Sequence, residues 1–445
     1  PFWLASAPPT NTGDQVRRAF DAGWGGAVWK TLGNPIVNVS SRFGAVDYGS
    51  TRMMGLNNIE LITDRPLSVN LREMEAVKKA YPAHTLIASL MVDSKEEWTE
   101  IIKKVEGVGS DLLELNFGCP HGMCERGMGS AVGAEPEVLK TIVSWVKEVA
   151  TVPVIVKLTP NVGDITEPAA ACLEAGADAV SLINTVKSII GVDLDRMVPL
   201  PVVGSASSNG GYCGPAVKPI ALHLLGQTAR VFPKPISGIG GISNWRDAAE
   251  FMALGSTSVQ VCTAVMHYGY RIVEDMIEGL NDFLDDKGMA SAMDLVGKAS
   301  PAYKDWGELD MNYHVVANID PSKCIGCQLC VVACLDGSHQ CIHLPGMDDA
   351  EKKARGYVAF PADVPDIAAT AEGASAGARI PWVHEEQCVG CNLCELVCPV
   401  EGTITMVEKR KAAESITWNE RVANGDDVVP GMLEATRRAR GLEPE

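Results

Sequence analysis

The chain has 445 residues, 46% of them hydrophobic, and a formal net charge of -18 at pH 7. That length implies two domains or one large domain with an appendage, and that charge argues against a nucleic-acid-binding face, which needs clustered Lys and Arg. No apolar run reaches the roughly 20 residues of a membrane span, and there is no secretory signal, so no membrane role is expected. The sequence starts without Met inside a strand-like stretch, "PFWLASAP", and a short N-terminal piece is expected ahead of it.

Up to about Gly297, short apolar runs alternate with helical patterns. Strands are expected at "FWLASA", "GGAVWKT", "TLIASLM", "DLLELNF", "VPVIVKLT", "DAVSLINT", "KPISGIGG" and "SVQVCTAVM". Helical stretches such as "DITEPAAACLEAG" and "SNWRDAAEFMALG" lie between them and end in Gly, as helix C-termini tend to. Eight buried strands with crossover helices make an α/β fold, a (β/α)8 TIM barrel, with a doubly wound open sheet as the alternative. Polar residues at the strand ends favour the barrel: Lys30, Asn116, Lys157, Asn184 and the glycines from Gly238. In a barrel those ends ring one site. A barrel domain is expected over 1–300, a connecting segment over 301–318, a second domain over 319–402 and an extension over 403–445.

Eight of the fourteen cysteines fall into two runs. Cys324, Cys327, Cys330 and Cys334 have the spacing C-x2-C-x2-C-x3-C; Cys388, Cys391, Cys394 and Cys398 repeat it, followed by Pro399. Such runs favour metal in a reducing cytoplasm over disulfides. The spacing is that of bacterial two-cluster ferredoxins, in which the fourth cysteine of each run reaches across to the other cluster. One [4Fe–4S] cluster is therefore assigned to Cys324, Cys327, Cys330 and Cys398, the other to Cys388, Cys391, Cys394 and Cys334. Structural zinc is the alternative. Cys341 reads as a bystander, and the polar stretch between the runs as an exposed loop.

Two clusters conduct single electrons, and a flavin can convert paired electrons into single ones. "SGIGGIS" after the seventh strand, with Cys262 and Thr263 after the eighth, sits where barrels build phosphate sites, although a short glycine motif is also an ordinary tight turn. Lys30 and Lys157 at strand ends suit the negative charge of a reduced flavin; otherwise they snorkel to solvent. No dinucleotide fingerprint is present.

"GWGGAVWKT", "NNIELI", "ELNFGCPHGMCERGMG", "KLTPNVGDI", "INTVKSI" and "SGIGGI", followed by paired ferredoxin runs, resemble the pyrimidine-reducing part of the dihydropyrimidine dehydrogenase family, in its bacterial NAD-dependent form. The resemblance runs to about Gly402. It implies a dihydroorotate-dehydrogenase-like barrel holding FMN through Ser6, Lys30, Thr31, Lys157, Gly214, Ile239, Gly240, Gly241, Cys262 and Thr263. It also implies a uracil or thymine ring held by Asn58, Glu60, Asn116, Phe117, Gly118, Asn184 and Thr185. Gly118 departs from the mammalian enzyme, which has Ser there. Reduction of the 5,6 double bond needs hydride on one carbon and a proton on the next, and Cys119 corresponds to the general acid. A thiol with an ordinary pKa near 8.5 is mostly protonated at neutral pH and can donate. The glycines at Gly122, Gly127, Gly129 and Gly133 then suit a closing lid, with His121 positioning it and Cys124 on the same loop.

The resemblance further implies that NAD(P)H is used only through a partner, an FAD- and NAD(P)H-binding flavoprotein subunit, with a homodimer of this chain inside a heterotetramer. The competing readings are a dihydroorotate-type dehydrogenase and an electron-transfer module with a non-catalytic barrel.

Overall fold

The computed structural model describes residues 1–33, 43–48, 50–120, 127–344, 380–409 and 414–425. They belong to two compact units, Pro1–Tyr303 and Lys304–Glu445. Among the described residues no helix is long and apolar enough to cross a membrane.

The first unit is a closed barrel of eight parallel strands: Phe2–Leu4, Gly26–Leu32, Thr85–Leu90, Leu112–Asn116, Val154–Lys157, Ala179–Leu182, Ile236–Ile239 and Ser258–Val261. Each pairs with its neighbours in chain order, and the first pairs with the eighth to close the ring. All eight strands coincide with the apolar runs of the sequence. Their outward residues, such as Leu113 and Leu115, pack under the helices in one large core. The helix Lys95–Gly107 shows why these helices form: Ser94 accepts from Glu97 N at its start, and Trp98, Ile101, Ile102 and Val105 make one buried stripe.

The inward residues change character along the barrel axis. Val28, Ile87 and Ile155, with Trp3, Leu112 and Ala179 against them, form an apolar plug. Two residues further along the same strands the inward positions are Lys30, Ser89, Glu114, Lys157 and Ser181, all buried and all polar. The period of two along a strand thus builds an apolar floor and a polar mouth from the same elements.

A four-stranded antiparallel sheet, absent from the expected elements, is formed by Phe43–Tyr48, Thr51–Asn58, Gly210–Cys213 and Val186–Ser188 in that spatial order. It contributes Phe43, Leu56, Asn58, Tyr212 and Cys213 to the wall of the cavity at the strand ends.

In the second unit Val315–Ile319 pairs antiparallel with Ile404–Glu408, and Ile342–His343 with Trp382–Val383. The first of these sheets corrects the expected boundaries: one strand straddles 318 and its partner lies wholly beyond 402. The segments expected as connector and extension therefore supply most of the first of these two sheets. The stretch between the cysteine runs and the end of the tail lie outside the described residues, apart from the ends of the former.

Candidate active site

The cavity at the C-terminal ends of the barrel strands has an empty volume of about 1160 Å3, counted to its open mouth. Its lining includes Ser6, Lys30, Thr31, Asn58, Glu60, Asn116, Cys119, Lys157, Asn184, Thr185, Gly214, Ile239, Gly240, Gly241, Cys262 and Thr263, residues spread over the whole barrel sequence. Two expected contacts are not among them. Phe117 is buried on the outer side of its strand, edge-on to Trp98 at 6.2 Å, because Asn116 before it faces inward. Gly118 lies beneath the wall: a Cβ there would stand 2.4 Å from the Cβ and 2.6 Å from Nδ2 of Asn184. A serine at 118 would have to displace that asparagine.

Lys30 and Thr31 are consecutive, yet both line the cavity. Here the second strand carries one extra residue against the third, since Trp29 faces Ala88 but Leu32 faces Leu90. That irregularity re-aims a side chain that strict alternation would turn away. Thr31 Oγ1 then becomes a hub: Asn116 Nδ2 donates to it at 2.9 Å, and it shares hydrogen bonds with Ser89 Oγ at 2.9 Å and Ser6 Oγ at 3.2 Å. Asn184 Nδ2 donates to Asn116 Oδ1 at 3.1 Å, and Thr185 N donates to Asn184 Oδ1 at 2.8 Å. Asn58 Nδ2 donates to Gly211 O at 3.2 Å within the four-stranded antiparallel sheet, which caps the barrel mouth. The asparagines are thus held by the protein in fixed orientations, which is what recognition of an edge of alternating donors and acceptors requires.

Both strand-end lysines are buried and paired rather than snorkelling. Lys30 Nζ donates to Glu60 Oε1 at 2.7 Å, and Lys157 Nζ stands 3.5 Å from Glu114 Oε2. Glu114 escaped the sequence reading although period-two alternation places it on the inward face with Asn116.

Cys119 is buried beside Ile62, Met91 and Met128, and Ser130 N donates to its carbonyl at 3.0 Å. His121, Gly122 and Cys124 lie outside the described residues. Cys262, half-buried after the eighth strand, also lines the cavity, and desolvation by the surrounding protein pushes its thiol up to about 12. Burial likewise raises Cys213, against a hydrogen bond from Thr263 Oγ1 at 3.2 Å.

Gly241 has φ +76°, and a Cβ there would meet Gly214 O at 2.8 Å and Lys218 N at 2.9 Å. Such a bare-backbone cradle beside the turn Pro215–Val217 admits a phosphate to main-chain N–H groups. Cradle, buried lysines, hydroxyl hub and large cavity together fit FMN.

The dihydroorotate dehydrogenase family profile matches residues 32–284, and a 4Fe-4S dicluster domain profile matches residues 323–402. Over 345 residues the chain is 44% identical to the NAD-dependent dihydropyrimidine dehydrogenase subunit PreA of Escherichia coli, covering 76% of this chain and 84% of that protein. The chloroplastic dihydropyrimidine dehydrogenase (NADP(+)) of Arabidopsis thaliana is 42% identical over 312 residues, 67% of this chain and 73% of that one. The catalytic subunit of dihydroorotate dehydrogenase B (NAD(+)) of Pyrococcus horikoshii is 36% identical over 307 residues, 67% and 93% respectively.

The chain belongs to the dihydropyrimidine dehydrogenase family. It is an oxidoreductase of that type, with FMN as the barrel cofactor and [4Fe–4S] clusters in the second unit. In this member of the family the two cysteine runs repeat in backbone as well as in spacing. Gly326 and Gly390 have φ +72° and +70°, and Gln328 and Asn392 have +63° and +66°. Each run wraps its loop identically before the short helices Leu329–Val331 and Leu393–Leu396.

Cys334 of the first run lines one cavity with Cys388, Cys391 and Cys394 of the second. Cys341 lines it too: its backbone N–H donates to Cys334 Sγ at 3.2 Å and its Sγ donates to Gln387 O at 2.9 Å. Burial first, then the charges of Cys324, Cys394 and Cys327, push the Cys330 thiol up to about 12.

Proposed function

We propose that this chain interconverts uracil or thymine with the 5,6-dihydro form at the barrel mouth. The observation that carries the reading is that Cys119, the oriented asparagines and the Gly241 cradle share one cavity. FMN, when bound there, supplies or takes back a hydride. Ser6, Lys30, Thr31, Lys157, Gly214, Ile239, Gly240, Gly241, Cys262 and Thr263 hold it. Asn58, Asn116, Asn184 and Thr185 read the pyrimidine edge, with Glu60 and its Lys30 partner at the rim. Cys119 holds the proton for the ring carbon next to the one that receives hydride, and its thiolate accepts that proton in reverse.

Electrons pass through two [4Fe–4S] clusters, one on Cys324, Cys327, Cys330 and Cys398, the other on Cys388, Cys391, Cys394 and Cys334. They reach NAD(P)H through an FAD-binding flavoprotein subunit, in a cytoplasmic heterotetramer built on a dimer of this chain. What supports a partner is that the E. coli relative is by name one subunit of an NAD-dependent enzyme.

Orotate is disfavoured as substrate because its carboxylate needs a cation, and the lysines among the described lining residues already face Glu60 and Glu114. Anaerobic turnover with reduced methyl viologen as donor tests the choice. Uracil or thymine should be consumed and orotate left; consumption of orotate alone would refute the reading.

A further inference from the structure

Glu114 is fully buried inside the barrel, on the inward face of the fourth strand. Its Oε1 accepts from Ser181 Oγ at 2.8 Å and from Gln260 Nε2 at 2.9 Å. Its Oε2 has no hydrogen-bond partner among the described residues and stands 3.5 Å from Lys157 Nζ. That is the surrounding of a carboxylate: two donors on one oxygen, an ammonium near the other, and no acceptor for a proton on Oε2. Lys157 and Gln260 both line the cavity above.

The two cavity lysines are therefore neutralised to different degrees. Lys30 is in direct contact with Glu60 at 2.7 Å. Lys157 keeps its carboxylate at arm's length, because Ser181 and Gln260 hold Glu114 on its far oxygen. Buried charges are little screened by salt or water, so such a difference is felt by whatever occupies the cavity.

We propose that Glu114 is a positioning residue that meters the positive charge Lys157 presents to the flavin, and thereby sets how readily the flavin takes up electrons. A reduced flavin gains negative charge, which the Lys157 ammonium favours and the carboxylate behind it partly cancels. The inference rests on FMN occupying the barrel, as read above.

Glu114→Gln tests it in the holoenzyme, since the amide oxygen still accepts from Ser181 and Gln260 while the charge is gone. The FMN reduction equilibrium should shift at least tenfold toward the reduced form, about 30 mV for a two-electron couple. The Kd for sulfite, which adds to flavin and leaves negative charge on it, should fall by a similar factor. In a Lys157→Met background Glu114, buried without its cation, takes up a proton, so the same substitution should move neither quantity. Unchanged potential and sulfite affinity in Glu114→Gln, or an equal shift without Lys157, would overturn the proposal. Ser181→Ala decides if Glu114→Gln does not fold: Glu114 loses one restraint, leans harder on Lys157, and the equilibrium moves several-fold in the opposite direction. No movement there also overturns it. Protein that purifies folded but takes up no FMN would instead refute the reading of the barrel, so the two failures are distinguishable.

Discussion

The barrel and the cysteine unit build their sites in opposite ways. In the barrel, the cavity residues come from strand ends as far apart in sequence as Ser6 and Thr263, and they meet only because eight strands close over a continuous apolar core. In the second unit the proposed ligands lie in two local runs, and the described core is Ala317, Val331, Leu335, Ile342, Leu344 and Ile404 together with Cys330, Cys334, Cys341 and Cys394. The barrel is a scaffold that would stand without its cofactor. Among its described residues the cysteine unit has little else to bury, and we expect its clusters to be part of its fold.

The largest effect that would test this contrast comes from removing a ligand. Cys394→Ala should cost at least half the iron and unfold the second unit, seen as loss of its hydrogen-exchange protection, while the barrel keeps its protection. Loss of protection in both units would mean that the barrel also depends on the clusters.

The barrel should show the reverse behaviour, with chemistry failing while structure persists. Cys119→Ala should lower turnover by about 10²–10⁴-fold, the usual contribution of a positioned acid, with FMN content unchanged. Cys119→Ser should retain a trace, because a hydroxyl fills the same place but is a weaker acid. Near-normal turnover in the alanine variant would move the proton source to another residue.

A smaller effect sharpens the distributed nature of the barrel site. Gly241→Ala places a Cβ within 3 Å of Gly214 O and Lys218 N at a left-handed φ. We expect FMN affinity to fall by about 10- to 100-fold, roughly 1.4–3 kcal/mol, as measured by flavin release. Wild-type affinity in that variant would place the phosphate elsewhere.

The same contrast explains what was legible in the sequence. Spacing alone marked out the two cysteine runs that the 4Fe-4S dicluster profile covers, because the pattern is local. The eight strands were legible as buried apolar runs, and Asn116, Lys157 and Cys119 as polar residues at their ends. Phe117 was misplaced and Glu114 overlooked for one reason: the alternation that turns Asn116 inward turns Phe117 out and Glu114 in. The paired exposure of Lys30 and Thr31 rests on a register irregularity, and the cap sheet on short Gly- and Asn-containing strands such as Gly210–Cys213. Neither leaves a periodic pattern to read.

If one chain joins a pyrimidine site to two iron–sulfur clusters, anaerobic titration of the isolated oxidised protein with dihydrouracil and dihydroorotate will report both at once. Dihydrouracil should bleach the flavin absorbance and bring up the signal of reduced clusters, with both changes lost in Cys119→Ala and neither produced by dihydroorotate. An unbleached flavin with dihydrouracil, or bleaching by dihydroorotate alone, would contradict it.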